Sequence, residues 1–298
     1  MSPATISERA HELRRLLSPC RLCPRACNAK RATGATGFCR LTHELKVFCA
    51  NLHPGEEPPI SGNAGSGTIF FSGCNLRCVF CQNFPFSQLM NGEIMTPKIL
   101  AAQMLKLQQR GAHNINWVTP SPQLPLALEA LAIARAEGLS IPLVYNCSGY
   151  EALDVLRLLD GIVDIYLPDA KYADAAAAQR LSAAPDYPAV NQAALREMFR
   201  QVGPLQMDAH GVATRGLIIR HLVLPARLGG TRAVLHFIAE ELSRAVYVSL
   251  MAQYFPAHRA RECSEIARPI TSDEYHEALA WLDECGLHNG FIQEWHEQ

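Results

Sequence analysis

Residues 68–83 have the sequence TIFFSGCNLRCVFCQN, an apolar run followed at once by three cysteines. The run at 68–72 is rich in β-branched and aromatic residues, which predicts a strand buried on both faces. Cys74, Cys78 and Cys81 follow with the spacing Cys-x3-Cys-x2-Cys. Three thiolates can ligate three irons of a 4Fe-4S cluster and leave the fourth iron open to an external ligand. The spacing therefore indicates an iron-sulfur site suited to catalysis more than to plain electron storage.

Zinc and disulfide bonds are the alternative interpretations of these cysteines. A Cys-x2-Cys pair is a common zinc hook, and a fourth ligand from elsewhere in the chain would complete such a site. Zinc ribbons, however, pair two such hooks, whereas the spacing here is three residues and then two. A disulfide fits less well, because nothing in the sequence marks the chain as secreted. The iron-sulfur cluster is the favoured prediction.

The chain after Gly67 alternates short β-rich runs with helical patterns. Strands are predicted at residues 68–72, 114–119, 141–146, 162–167, 217–224 and 246–251. Helices are predicted from 96 to Gly111, and at 125–137, 151–159, 231–244 and 272–285. The alternation is typical of an α/β protein with parallel strands, and right-handed crossovers wind such units into a barrel or a doubly wound sheet.

Composition and charge exclude several function classes. The 298 residues include 27 Lys and Arg against 28 Asp and Glu, so no net charge attracts nucleic acid or anionic lipid. No apolar run approaches the length that spans a bilayer. We therefore predict a cytoplasmic protein without a nucleic-acid partner or a membrane. In a reducing compartment the 11 cysteines are expected to form no disulfides, and seven of them cluster.

The second group of cysteines lies in the first 66 residues. Its members are Cys20, Cys23, Cys27 and Cys39, with the spacing Cys-x2-Cys-x3-Cys-x11-Cys. The segment around them contains Pro and Gly residues and shows little apolar periodicity. A segment this short usually needs a metal to fold, so we predict a four-thiolate site for zinc or a second iron-sulfur cluster. Unliganded thiols, or Cys49 in place of one ligand, are the alternatives. We divide the chain into a cysteine-rich metal-binding segment with its linker, residues 1–66, and a core, residues 67–298.

The linker contains HPGEEPPISG, residues 53–62. Its Pro and Gly content predicts a loop. An acidic pair in such a loop is usually solvated, so Glu56 and Glu57 are left out of the predicted site.

The segment FSGCNLRCVFCQN, residues 71–83, resembles the cluster loop of the radical S-adenosylmethionine (SAM) superfamily. The chain is most similar there to the pyruvate formate-lyase activating enzymes and their uncharacterised iron-sulfur relatives. The resemblance implies that Cys74, Cys78 and Cys81 ligate a 4Fe-4S cluster and that SAM chelates the open iron. It also implies a partial (β/α)6 barrel of TIM type behind the short cysteine-rich segment, with its chemistry at the C-terminal ends of the strands.

Polar residues at the predicted strand ends complete the site that the resemblance implies. After the second strand, Thr119 and Ser121 stand where many family members carry a Gly-Gly-Glu motif that contacts the SAM amino group. The other candidates for binding SAM are Asn146 and Ser148 after the third strand, Asp169 and Lys171 after the fourth, and His221 in the fifth. Each candidate has a structural alternative. Thr119 and Ser121 would belong to a proline-rich turn, Asp169 and Lys171 would form an ion pair at the barrel rim, and His221 would be a core histidine. Because neighbouring strand residues face opposite sides, only one of Arg220 and His221 points into the barrel.

The leading functional hypothesis is an enzyme that cleaves SAM reductively and abstracts hydrogen from a substrate. By family analogy the substrate is a glycyl residue of a glycyl radical enzyme, with other peptides and small molecules as the alternatives, and the electron donor is a flavodoxin or ferredoxin. The sequence assigns no residue to catalysis beyond these cofactor contacts. A non-catalytic iron-sulfur electron carrier or redox sensor, and a zinc-stabilised interaction protein, are the competing classes.

Overall fold

The computed structural model describes residues 1–295. Within this range one sheet contains β1 (Leu45–His53), β2 (Ser66–Phe71), β3 (Glu93–Met95), β4 (Ile115–Val118), β5 (Leu143–Cys147), β6 (Ile165–Pro168), β7 (Gln206–Met207), β8 (Ala213–Leu222), β9 (Tyr247–Met251) and β10 (Gly290–Ile292). The helices are α1 (Pro3–Arg15), α2 (Pro58–Ser61), α3 (Phe84–Ser87), α4 (Pro97–Gln109), α5 (Leu124–Ala136), α6 (Leu153–Arg157), α7 (Ala175–Ser182), α8 (Tyr187–Val202), α9 (Thr231–Phe237) and α10 (Ser272–Glu284).

The strands form an open barrel wall. Strands β2, β4, β5, β6, β8, β9 and β10 follow one another in parallel. Strand β1 pairs antiparallel with β2, and β3 pairs antiparallel with β1 at the opposite edge from β10. The expected partial (β/α)6 architecture is confirmed, and the sheet does not close. Because parallel strands end at the same rim, the loops that follow them meet there.

The predicted elements are largely present. All six predicted strands occur, as β2, β4, β5, β6, β8 and β9. Helix α4 has the predicted start, because the Thr96 side chain accepts from the Ile99 N–H, and its buried face includes Leu100, Met104 and Leu107. The helix predicted at 151–159 is the shorter α6. Its first predicted residue, Glu151, is instead buried and accepts hydrogen bonds from side chains outside the helix.

The first 66 residues pack directly on the barrel. Helix α1 lies against α5 and buries Ile6, Ala10 and Leu13. These residues belong to the same hydrophobic core as Leu45 and Val47 of β1. Neither α1 nor β1 was predicted from the sequence, and β1 is interrupted by a bulge between Val47 and Cys49. Residues 296–298 of the predicted core lie outside the described residues. In residues 1–295, no helix has both the length and the apolar character to cross a membrane.

Candidate active site

A cavity of about 390 Å³ opens at the C-terminal rim of the parallel strands. Its wall combines thiols, charged groups and apolar side chains. The polar and sulfur-bearing members are His53, Glu56, Cys74, Cys78, Cys81, Gln82, Asn83, Ser87, Thr119, Asn146, Cys147, Ser148, Asp169, Lys171, Arg220, Met251 and Gln253. Barrel strand ends are where such groups are available for chemistry, because the packed core below does not depend on the loops.

The cysteine loop after β2 supplies three of the thiols. It turns at Gly73, whose φ is +80° and where a Cβ would lie 2.8 Å from the Cys39 carbonyl oxygen. Cys74 Sγ accepts from the Leu76 N–H at 3.3 Å, and Cys81 Sγ lies 3.2 Å from Ser87 Oγ. The loop thus has a defined backbone that presents its sulfurs to one cavity.

These thiols are suited to metal ligation. Burial and the neighbouring Cys78 raise the pKa of Cys74 to about 12, and the same causes raise the pKa of Cys81. Thiolates in this position therefore require a compensating positive charge, which bound metal supplies. The donor set of three cysteines fits a cluster with one open iron. In residues 1–295 no three His, Cys, Asp or Glu side chains are grouped so as to hold a single metal ion.

The structure brings five of the seven predicted SAM-binding residues to this cavity: Thr119, Asn146, Ser148, Asp169 and Lys171. Thr119 has a φ of +59°, a strained conformation for a β-branched residue of the kind often found at functional sites. Gly149 allows the ends of β5 and β6 to approach, because its Cβ would lie 2.2 Å from the Asp169 carbonyl oxygen. This glycine explains how Ser148 and Asp169 reach one wall.

Ser121 and His221 lie outside the cavity lining. Ser121 Oγ donates to Glu151 at 2.6 Å within the core. His221 is fully buried, with its ring nitrogens 2.6 Å from the Ala170 carbonyl oxygen and 2.9 Å from Thr231 Oγ1. Burial lowers the pKa of His221 to about 4, so the ring is neutral at pH 7. Of the adjacent Arg220 and His221 in β8, Arg220 is the one that lines the cavity.

Asp169 and Lys171 form an ion pair in the wall. Lys171 Nζ donates to Asp169 Oδ2 at 2.6 Å. Burial disfavours the charged lysine, but the Asp169 carboxylate and the Cys78 sulfur outweigh it and raise the pKa of Lys171. Lys171 is therefore cationic at neutral pH. A paired lysine and carboxylate at the cavity surface offer both donors and acceptors to a zwitterionic ligand.

Sequence reasoning missed a buried charge cluster formed by Glu56, Glu57 and Arg220. Arg220 donates to Glu57 through Nε at 2.6 Å and through Nη2 at 2.7 Å, and Nη2 also donates to Glu56. The expectation of a solvated acidic pair is wrong, since the side chains of Glu56 and Glu57 are only 7% and 5% exposed. The signal that would have found them is Arg220, an arginine within an apolar strand that needs a carboxylate partner.

Cys147 is a further thiol that sequence reasoning did not place here. It is the last residue of β5 and lines the same cavity as Cys74, Cys78 and Cys81. Burial and the Glu151 carboxyl raise its pKa well above the usual value. The Cys147 thiol is therefore protonated unless a metal binds it.

The four N-terminal cysteines surround a second, small cavity of about 10 Å³. Arg31 is buried there, with Nη1 3.7 Å from Cys20 Sγ. A Cβ on Gly37 would lie 3.2 Å from Cys27 Sγ and 3.6 Å from Cys39 Sγ, so a larger residue would crowd the Cys27 sulfur. Burial raises the pKa of Cys23 to about 12. Cys49 borders neither cavity.

Comparison with known proteins places the chain in a family. The Radical SAM superfamily model matches residues 68–190. The uncharacterized protein MJ0674 of Methanocaldococcus jannaschii is 31% identical over 297 residues, which cover 96% of this chain and 81% of that protein. A second uncharacterized protein of that organism, MJ0808, is 26% identical over 157 residues, 47% of this chain and 46% of that protein. The chain belongs to the radical SAM superfamily. The family implies a SAM-cleaving enzyme with a 4Fe-4S cluster.

Solved structures resemble this fold at low sequence identity. Methylornithine synthase (PylB) has a TM-score of 0.49 at 14% identity, covering 74% of this chain and 60% of that chain. SuiB of Streptococcus suis has a TM-score of 0.48 at 12% identity, covering 75% of this chain and 47% of that chain. HydG, a maturase of the [FeFe]-hydrogenase, has a TM-score of 0.49 at 10% identity, covering 76% of this chain and 50% of that chain. The chain thus spans about half to three fifths of those chains.

Proposed function

We propose that Cys74, Cys78 and Cys81 hold the 4Fe-4S cluster and that the C-terminal rim of the barrel binds SAM for hydrogen abstraction from a substrate. The observation that supports this assignment is the meeting of these thiols with five predicted SAM-binding residues on one cavity of about 390 Å³. Superfamily membership supports the reaction class. When bound, the cluster supplies the electron that cleaves SAM to methionine and a 5'-deoxyadenosyl radical.

The chain's own residues bind the cofactor and exclude water. The Asp169–Lys171 pair offers a carboxylate acceptor and an ammonium donor to the charged end of SAM, while Asn146 adds a neutral amide. Apolar side chains form the rest of the wall, including Phe70, Leu76, Phe80, Val118 and Leu222. Such a lining limits water at the reacting atoms, which protects a reactive radical from side reactions.

Reductive cleavage of SAM tests this proposal. Anaerobically reconstituted protein with dithionite and SAM is expected to release 5'-deoxyadenosine and methionine, and Cys78→Ala is expected to lose at least about 99% of that activity because the cluster loses a ligand. Cys263→Ala, which changes a cysteine outside both cavities, is the matched control and retains cleavage. Cleavage retained by Cys78→Ala would reject the ligand assignment.

We further propose that the substrate is a protein or peptide segment, such as a glycyl residue of a glycyl radical enzyme. Its support is the resemblance to the activating enzymes and an apolar surface beside the cavity. The exposed Phe48 stacks on Phe86 with ring centroids 5.1 Å apart, and Phe86 contacts the cavity-lining Phe70 at 5.4 Å. Aromatic residues are enriched at protein–protein interfaces, so the exposed Phe48 supports a protein or peptide substrate.

Isotope transfer identifies the substrate class. Cell extract labelled with α-deuterated glycine is divided into protein and small-molecule fractions, and each is added to the reconstituted enzyme with SAM and dithionite. Deuterium is expected in 5'-deoxyadenosine only with the protein fraction. Label transferred only from the small-molecule fraction would contradict a protein substrate.

The four N-terminal cysteines are proposed to bind a second metal centre, either zinc or an iron-sulfur cluster. The support is their common small cavity and the buried guanidinium of Arg31, which offsets thiolate charge. Metal analysis of the anaerobically purified protein distinguishes zinc from iron.

A further inference from the structure

The charge clusters in and behind the wall of the main cavity contain more carboxylates than cations. Arg220 shares its guanidinium between Glu56 and Glu57, and Lys171 is paired with Asp169. These ion pairs therefore contain three carboxylates and only two cationic side chains. A buried carboxylate without its own counter-ion is costly, so the arrangement favours a ligand that brings a positive charge.

Glu56 is the carboxylate with free acceptor capacity toward the cavity. Its Oε1 accepts from Asn116 Nδ2 at 3.0 Å and its Oε2 accepts from Arg220, whereas a carboxylate has about four acceptor positions. Glu57 accepts two hydrogen bonds from Arg220 and does not line the cavity. Asp169 lines the cavity but receives Lys171 Nζ at 2.6 Å.

The backbone around Glu56 holds the carboxylate in place. The Glu56 N–H donates to Ser61 Oγ at 3.0 Å, and the Ser61 hydroxyl donates back to the Glu56 carbonyl oxygen at 3.3 Å. Helix α2 begins directly after Glu57, with Pro58 at its first position. The segment is therefore preorganised, and little conformational entropy is lost when a ligand binds it.

The neighbouring strand β4 explains why this carboxylate is required. Asn116, which donates to Glu56, lies in β4, and the loop after that strand, Thr119 to Pro122, contains no charged residue. The Asn116 Oδ1 atom is buried and has no hydrogen-bond partner among residues 1–295. Asn116 does not itself line the cavity, so on the β4 side the charged acceptor at the cavity surface is Glu56, from the segment before β2.

We propose that Glu56 accepts hydrogen bonds from the amino group of SAM. This inference rests on the proposed binding of SAM in the cavity. SAM contains an amino group, a carboxylate and a sulfonium group, and Glu56 offers unfilled acceptor positions at the cavity surface. The amino group is the part of the methionyl moiety that carries N–H donors, and hydrogen bonds to an ionised acceptor are the strong ones.

Ligand binding by Glu56→Gln tests the proposal without turnover. Affinities of the anaerobic, unreduced, reconstituted protein are measured for SAM, S-adenosylhomocysteine and methylthioadenosine. The first two have the amino group, the second lacks the sulfonium charge, and the third lacks the amino-acid moiety. Glu56→Gln is expected to weaken SAM and S-adenosylhomocysteine roughly ten- to hundredfold and to change methylthioadenosine less than about threefold.

Glu57→Gln is the matched control, because it removes the same charge from the same arginine at a position outside the cavity lining. It is expected to shift the affinity for all three ligands by a common factor. Equal losses for all three ligands in Glu56→Gln would assign Glu56 a purely structural role and overturn the proposal. A loss confined to SAM would assign the sulfonium as its partner and also overturn it. Wild-type protein that binds no SAM would instead reject the proposed function itself.

Discussion

Arg220 and His221 are adjacent in β8 and have opposite environments. Arg220 lines the cavity with its carboxylate partners, and burial, which opposes its charge, is outweighed by Glu57 and Glu56 so that the pKa of Arg220 is raised. His221 faces the packed side, where burial keeps it neutral. Strand alternation predicted that only one of them faces inward. Which one does so depends on Glu56 and Glu57, which lie more than 160 residues away in sequence.

Two buried titrating residues predict opposing pH dependences of the free energy of unfolding. The pKa of His221 falls from 6.5 to about 4 on folding, so the unfolded chain binds the extra proton and stability falls as pH drops from 6.5 to 4. Burial raises the pKa of Glu151 from 4.5 to about 7, so the folded chain holds the extra proton and stability falls as pH rises from 4.5 to 7. Each effect amounts to roughly 3 kcal/mol across its window, and in the wild type they largely cancel.

Single neutral substitutions are expected to expose each slope. Chemical denaturation between pH 4 and 7 should show His221→Gln losing stability with rising pH and Glu151→Gln gaining it, by roughly 3 kcal/mol each. The double variant His221→Gln/Glu151→Gln is the control and should have the shallow profile of the wild type. Parallel profiles in both single variants would contradict the assigned protonation states.

At the scale of elements, the cysteine segment between α1 and β1 contains no long helix or strand. A 3-10 turn at Arg31–Thr33 and short backbone hydrogen bonds, such as Cys20 N–H to the Ala29 carbonyl oxygen at 3.0 Å, are its regular features. Short segments of this kind depend on cross-links for stability. We expect a bound metal to provide that cross-link.

Cys23→Ala is expected to remove the metal of this segment and to leave the core cluster in place. Loss of one of four thiolates weakens metal binding strongly, while Cys74, Cys78 and Cys81 are untouched. The measurements are metal content per chain, the visible absorbance of the core cluster and the rate of proteolysis within residues 17–44. Cys49→Ala, which alters a cysteine bordering neither cavity, is the control. Unchanged metal content and unchanged proteolysis would contradict the second site.

At the scale of the whole molecule, the N-terminal residues and the barrel have one continuous hydrophobic core. Leu13 of α1 is fully buried against α5, and Leu45 of β1 belongs to the same core as Trp117 of β4. The two-part division at residue 66 remains a prediction from composition. A shared core favours cooperative unfolding of both parts together.

Leu13→Ala is expected to destabilise the whole chain by about 2–5 kcal/mol, because it leaves a cavity between α1 and α5. Thermal unfolding is followed in parallel by far-ultraviolet circular dichroism and by tryptophan fluorescence, which reports on the buried Trp117 together with Trp281 and Trp295. Both transitions should shift together to lower temperature. Glu12→Ala, on the exposed side of the same helix, is the control and should change stability by less than about 0.5 kcal/mol. A separate early transition in circular dichroism that leaves the fluorescence transition unshifted would show two independent units.

The sequence by itself determined the cysteine loop, the six parallel strands and the placement of five polar residues at strand ends, because ligand spacing, hydrophobic patterning and strand-end position are local properties. Only the tertiary structure decided that Arg220 faces the cavity, that Glu56 and Glu57 are buried against it, and that Ser121 and His221 are committed to the core. Those outcomes depend on charge pairing and hydrogen bonding between residues far apart in the chain, which no local pattern encodes.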